Sequence, residues 1–381
     1  MDPGTIAVIG PVPPPLNGMT VMTTHVLEAL KRSGIRVVHI DTSDHRRVGN
    51  VGRLDFGNVV LAAKHAIGMA GAVTRDRPSI VYLPIAQGTL GFLRDALFFS
   101  LAERRGIPVV LHLHGAAFGA FYRESNPLMR WIIRRCLRPA LRAIVLGSSL
   151  RDVFGDLVAP EHVVDVANGL PQPVPFDSPP RRGESVHVLY LSNLNPAKGY
   201  LDVIAAANLV ARRHGNARFT IAGEWLSVRE ERAAREECRR MGIEDRVVFT
   251  RAVSGLRKAE LFRAADLFVF PPRQLEGQPV VILEAMSYGL PVVTTAQGGI
   301  VDLVIDGKTG IYVPPGAPGP LADALSRLIV SATLRTGMGE AGRRRFDESF
   351  SEHVFRARLT DVLRDALAAA SQAPSLTMGR P

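Results

Sequence analysis

Two carboxylates stand with seven residues between them in Glu276-Gly277-Gln278-Pro279-Val280-Val281-Ile282-Leu283-Glu284. The stretch follows the apolar run Leu267–Phe270, which reads as a strand, and continues through Ala285-Met286 as a helix. Gly277 permits a tight backbone, and Pro279 suits the first turn of a helix. A helix start presents unpaired N–H groups and the positive end of the helix dipole, both favourable to an anion such as phosphate. Glu284 interrupts an otherwise apolar helix, where a carboxylate needs a partner. Ribose hydroxyls could donate to it, or an arginine could pair with it and merely stabilise the fold.

Lys198 lies just past the strand-like run Val186–Leu191, at the mouth of the helical pattern 201–212. Its ammonium could reach a phosphate as a point charge, or simply be solvated. In the first half, Gly18 ends a loop between the strand-like run 6–10 and the helical pattern 23–31. Glycine lets a backbone approach a ligand closely, but this loop is not the G-x-G-x-x-G of dinucleotide binders. His112 and His114 share one face of the apolar run 109–113 by strand alternation. Of the two, His114 stands at the carboxyl end, where side chains reach a ligand; a structural histidine is the alternative. No nearby Asp, Glu or Cys completes a metal set around them.

The elements that must position these groups are legible as short β-branched runs alternating with helical patterns. Runs at 6–10, 37–40, 80–83, 109–113, 143–146 and 163–166 fill the first half. Runs at 186–191, 219–222, 247–249, 267–270, 292–294 and 311–313 fill the second. Most lack polar alternation, as parallel strands buried on both faces do. The pattern predicts an α/β chain with two doubly wound parallel sheets. Its 381 residues exceed what one core usually organises. The proline-rich stretch from Pro171 to Gly183 divides the halves. The expected plan is a domain over 1–170, a linker over 171–184, a second domain over 185–350, a closing helix over 351–370 and a disordered tail over 371–381.

Glu276-x7-Glu284 followed by Ala285-Met286-Ser287-Tyr288-Gly289-Leu290-Pro291-Val292-Val293 resembles the retaining glycosyltransferase family 4. So do Gly298-Gly299-Ile300-Val301-Asp302, Asp306-Gly307-Lys308-Thr309-Gly310 and the stretch from Leu191 to Gly199. The resemblance covers roughly residues 5 to 350 and is looser in the first half. It implies the GT-B fold, with two Rossmann-like domains facing across a cleft, the first for an acceptor and the second for a nucleotide-sugar donor. It also implies a final helix crossing back to the first domain. On this basis Glu284 would bind the donor ribose, and Glu276 would lie near the donor sugar. Lys198 would hold the diphosphate, and His114 would contact the sugar. Gly18, Gly277, Gln278, Pro279 and Val280 would line the donor. Asn193 stands where the family commonly has an arginine, so the diphosphate is held more weakly or Arg251 or Arg273 substitutes.

The resemblance implies a UDP- or GDP-sugar as donor, a saccharide or lipid-linked acceptor, and no metal or cofactor. A net charge of +10 favours anionic partners. Nucleic acid is not expected, since no aromatic-basic platform is present. Arg130, Arg134, Arg138 and Arg142 recur every four residues beside Trp131, a basic amphipathic surface suited to anionic lipid or to plain solvation. Two distant cysteines and no run of about 18 apolar residues point to a cytoplasmic chain, peripheral to the membrane at most. The alternatives are a non-catalytic carbohydrate-binding GT-B protein and another GT-B enzyme such as a nucleotide-sugar epimerase.

Overall fold

The computed structural model describes residues 4–14, 17–43, 56–173 and 185–372. Most of the expected linker, 174–184, and most of the expected tail, 373–381, lie outside the described residues. The chain forms two compact units: unit 1 takes Met1–Asn168 with Glu352–Pro381, and unit 2 takes Gly169–Ser351.

Unit 1 contains β1 (Thr5–Gly10), α1 (Gly18–Arg32), β2 (Arg36–Asp41), α2 (Phe56–Asp76), β3 (Ile80–Pro84), α3 (Thr89–Glu103) and β4 (Val109–His112). Then come α4 (Phe118–Glu124), α5 (Pro127–Leu137), β5 (Arg142–Val145) and β6 (Val163–Asp165). Its six parallel strands lie in the order β2-β1-β3-β4-β5-β6. Every residue of β1, β3 and β4 is buried, whereas the edge strand β2 is mostly not. Central strands covered by helices on both faces have no solvent side to make polar, hence their unbroken apolar runs.

Unit 2 contains β7 (Val186–Leu191), α6 (Tyr200–Ala211), β8 (Ala217–Ala222), α7 (Val228–Met241), β9 (Val247–Thr250) and α8 (Gly255–Ala264). These are followed by β10 (Leu267–Phe270), α9 (Val280–Ser287), β11 (Val292–Thr294), β12 (Gly310–Tyr312), α10 (Pro318–Val330) and α11 (Ala332–Ser349). Its sheet runs β12-β11-β10-β7-β8-β9, again wholly parallel. Each of the twelve apolar runs holds a strand, and the α/β expectation stands.

Strand order decides where ligands can sit. In unit 2 the order reverses between β7 and β10, the crevice where open α/β sheets take ligands at the carboxyl ends of their strands. The corresponding reversal in unit 1 lies between β1 and β3.

The last helix, α12 (Glu352–Gln372), packs on α1 and β3. Phe355, Leu359, Leu363 and Leu367 are its buried stripe, each contributing about 1.5–3 kcal/mol by leaving water. Arg32 meets Glu352 at 2.7 Å, and Ser33 Oγ lies 3.0 Å from Thr360 Oγ1. Pro139 limits the helix that carries the four-residue arginine spacing. Helix α5 ends at Leu137, Pro139 cannot donate to a continuing turn, and Arg142 instead opens β5.

Candidate functional site

At the switch point of unit 2, β7 and β10 each deliver one charged side chain. After β7, Asn195 Oδ1 accepts from Ala197 N at 2.9 Å and folds Pro196–Lys198 into a 3-10 turn. Gly199 closes that turn at φ 83°, and a Cβ there would lie 2.0 Å from Pro271 O. Only glycine allows the turn to rest against the end of β10 in this way. Tyr190 Oη donates to Lys198 O at 3.2 Å, and Arg273 N donates to Ala197 O at 2.9 Å. Lys198 is thus fixed at its backbone, and its Nζ meets Glu276 Oε1 at 2.6 Å.

Glu276 is held in turn from the loop after β11. Its carbonyl accepts from Gly299 N at 2.9 Å, and its backbone bridges to Gly298, whose φ of 61° and ψ of −134° suit glycine alone. Gln274 Nε2 donates to the same carboxylate oxygen at 2.9 Å. Gly277 and Gln278 are buried beside it. Pro279 is the residue before α9 rather than its first turn, with φ −61°, and the helix starts at Val280.

Glu284, one turn into α9, is bound by a lysine rather than an arginine. Lys258 Nζ from α8 reaches Glu284 Oε1 at 2.5 Å. The other oxygen, Oε2, is buried with no hydrogen-bond partner. Burial pushes the Glu284 carboxyl above its usual range, and the Lys258 ammonium opposes that rise. One oxygen is paired with an ammonium, and the other is a buried acceptor with its hydrogen-bonding capacity unused.

Asn193 is exposed on the loop after β7. Of the two arginines considered as its substitute, Arg273 is already engaged: Nε and Nη2 donate to the buried Asp202 at 2.8 and 2.6 Å. Arg251 is exposed beyond β9.

In unit 1, Asn17 caps α1: its Oδ1 accepts from Thr20 N, and Thr20 Oγ1 accepts from Asn17 N, both at 3.0 Å. Gly18 is the first residue of the helix, at the carboxyl end of β1. Strand β4 ends at His112, which is wholly buried and hydrogen-bonded through Nδ1 to Tyr82 Oη. His114 follows two residues on, its ring 3.9 Å from that of His112 between centroids and tilted by 30°. Both ring nitrogens of His114 are buried without a hydrogen-bond partner, and burial lowers its pKa to about 4. Burial and the neighbouring His114 hold the His112 ring well below its usual range. Both rings are therefore neutral near pH 7, able to donate or accept a hydrogen bond without carrying charge.

The structure brings Lys198 to Glu276, sets Gly277 and Gln278 beside them, and places Glu284 in the helix that follows. Lys258 was not foreseen. It pairs with Glu284 from 26 residues away, a separation with no local periodic signature. Its one signal was a lysine in an arginine-rich chain.

Two family models match the chain: the glycosyl transferase 4-like domain over residues 17–169 and the glycosyl transferases group 1 over residues 175–345. A GDP-mannose-dependent alpha-(1-6)-phosphatidylinositol monomannoside mannosyltransferase of Mycobacterium tuberculosis is 31% identical over 190 residues. That alignment covers 48% of this chain, which spans about half the length (49%) of that relative. Sucrose-phosphate synthase from Thermosynechococcus elongatus has a similar fold, with a TM-score of 0.76 at 18% identity, covering 96% of this chain and 100% of that one. Anabaena HepE, solved with UDP and glucose, has a TM-score of 0.70 at 17% identity, covering 95% and 100%.

Proposed function

Because this chain belongs to the group 1 glycosyl transferases, family 4 with the GT-B fold, we propose that it is a retaining glycosyltransferase. It moves a sugar from a nucleotide diphospho-sugar to a hydroxyl of a saccharide or lipid-linked acceptor, in polysaccharide or glycoconjugate synthesis. Unit 2 holds the donor. Unit 1 holds the acceptor. The donor is a UDP- or GDP-sugar: the mycobacterial relative is named for GDP-mannose, and the Anabaena fold neighbour was solved with UDP. The chain works in the cytoplasm, at the membrane where its acceptor is lipid-linked.

The observation that carries this reading is the bare, buried Oε2 of Glu284 beside the switch point of unit 2. Ribose hydroxyls are donors of the right kind for it. The diphosphate lies against the start of α9, where Gly277, Gln278, Pro279 and Val280 bring backbone close, and Asn193 borders it without charge. Lys198 exchanges Glu276 for the phosphate oxygens. As the bond to the anomeric carbon breaks, negative charge grows on the diphosphate. A fixed ammonium and helix N–H groups stabilise it more in the transition state than in the ground state, without a metal. Glu276, freed from Lys198, accepts hydrogen bonds from the donor sugar.

Calorimetry with UDP, GDP and ADP, with and without magnesium, tests the donor site. One nucleoside diphosphate binds without metal, and Glu284→Ala weakens it about tenfold or more, the worth of hydrogen bonds to a charged group. Absence of binding by all three would remove the donor assignment.

A further inference from the structure

Helix α5 faces two surroundings. Met129, Ile133, Cys136 and Leu137 are buried in the core of unit 1, with α3 packed alongside. Its outer face carries Leu128 and Trp131, 67% and 62% exposed, among exposed Arg130, Arg134, Arg135 and Arg138. No Asp or Glu occurs between Glu124 and Asp152. Arg135 meets Glu103 at 2.7 Å, and Arg134 meets Tyr122 Oη and, at 3.8 Å, Asp156. These exposed pairs bind their partners weakly. Among the described residues, Arg130 and Arg138 have no ion-pair partner.

Two large apolar side chains ringed by guanidinium groups need a surface that is anionic at its edge and apolar just beneath. A bilayer bearing anionic headgroups has that profile: arginine meets phosphate, and tryptophan settles at the headgroup level with its ring in the acyl boundary. The net charge of +10 adds long-range attraction of the same sign.

We propose that the outer face of α5 docks this chain on an anionic bilayer, with Trp131 and Leu128 inserted and Arg130 and Arg138 on headgroup phosphates. The inference rests on the proposed transferase reading only for its purpose, which is to bring unit 1 to a lipid-linked acceptor. The surface itself is read from α5.

The test uses the full chain and sedimentation with vesicles of phosphatidylcholine alone or mixed in equal parts with phosphatidylglycerol. Binding to the mixed vesicles is expected to exceed binding to phosphatidylcholine by about tenfold and to weaken with salt. Arg130→Glu with Arg138→Glu lowers it about tenfold or more. Trp131→Ala lowers it with every charge intact and abolishes the blue shift of tryptophan fluorescence that vesicles induce. Both variants keep wild-type nucleotide binding, so a failed donor site and a failed membrane surface are read separately. Equal binding to both vesicles, or no loss in the variants, overturns the proposal. So does binding to polyglutamate as tight as to vesicles and indifferent to Trp131→Ala, which marks the face as a protein contact.

Discussion

The Lys258–Glu284 pair sets opposing demands on one carboxylate. Burial favours the protonated acid and is the stronger effect, whereas a ribose hydroxyl is best received by the ionised form, toward which Lys258 pulls. Lys258→Met leaves burial unopposed, so Glu284 takes up a proton at higher pH. The rise of nucleotide affinity as Glu284 ionises then lies at higher pH than in the wild type; Lys258→Arg restores the wild-type profile. Calorimetry at stepped pH reads both, and identical profiles for Lys258→Met and the wild type would refute the role. The histidine pair makes an opposite use of burial. His114 has its pKa lowered to about 4 from an ordinary 6.5, so the unfolded chain binds more protons between those values. Stability is therefore full above pH 6.5 and falls as the solution is acidified toward pH 4, by up to about 3 kcal/mol for this ring. His114→Asn should lessen the pH dependence of the urea midpoint across that window, leaving the share that His112 contributes.

At the scale of elements, the close approach of two loops places the chemistry. Lys198 can meet Glu276 only because the Gly199 turn lies against the end of β10. Gly199→Ala would drive a Cβ into Pro271 O and force a positive φ on a side chain, so the loops must separate. A stability loss of about 2 kcal/mol or more is expected, together with weaker nucleotide binding. Gly34→Ala is the control. Its φ is 71°, but nothing lies within 4 Å of the added atom, so it costs about 1 kcal/mol and leaves binding unchanged. Thermal melts with and without nucleotide separate the two effects, and equal behaviour of the two variants would count against the loop-contact account.

At the scale of the molecule, the chain returns after unit 2 to complete unit 1. Helix α12 supplies Phe355, Leu359, Leu363 and Leu367 to a core otherwise built from the first 168 residues. A chain cut after Ser351 exposes the faces of α1 and β3 that α12 covers. Hydrogen exchange should then quicken across β1, β3 and α1 and leave β7 to β12 protected; uniform loss of protection in both sheets would contradict two separate cores. The alternation of strands and helices was legible in the sequence because a strand buried on both faces must be apolar throughout, a property of consecutive residues. The Glu276-x7-Glu284 spacing was legible for the same reason, since a loop and the helix after it are local. The partners of the charges were not. Lys198 meets Glu276 across 78 residues, Arg273 meets Asp202 across 71, and Lys258 meets Glu284 across 26. The sequence by itself determined the elements and the groups they carry. Which groups touch was decided by tertiary structure, because contact at that range depends on the order of strands in the sheet, and no residue's neighbours in the chain encode that order.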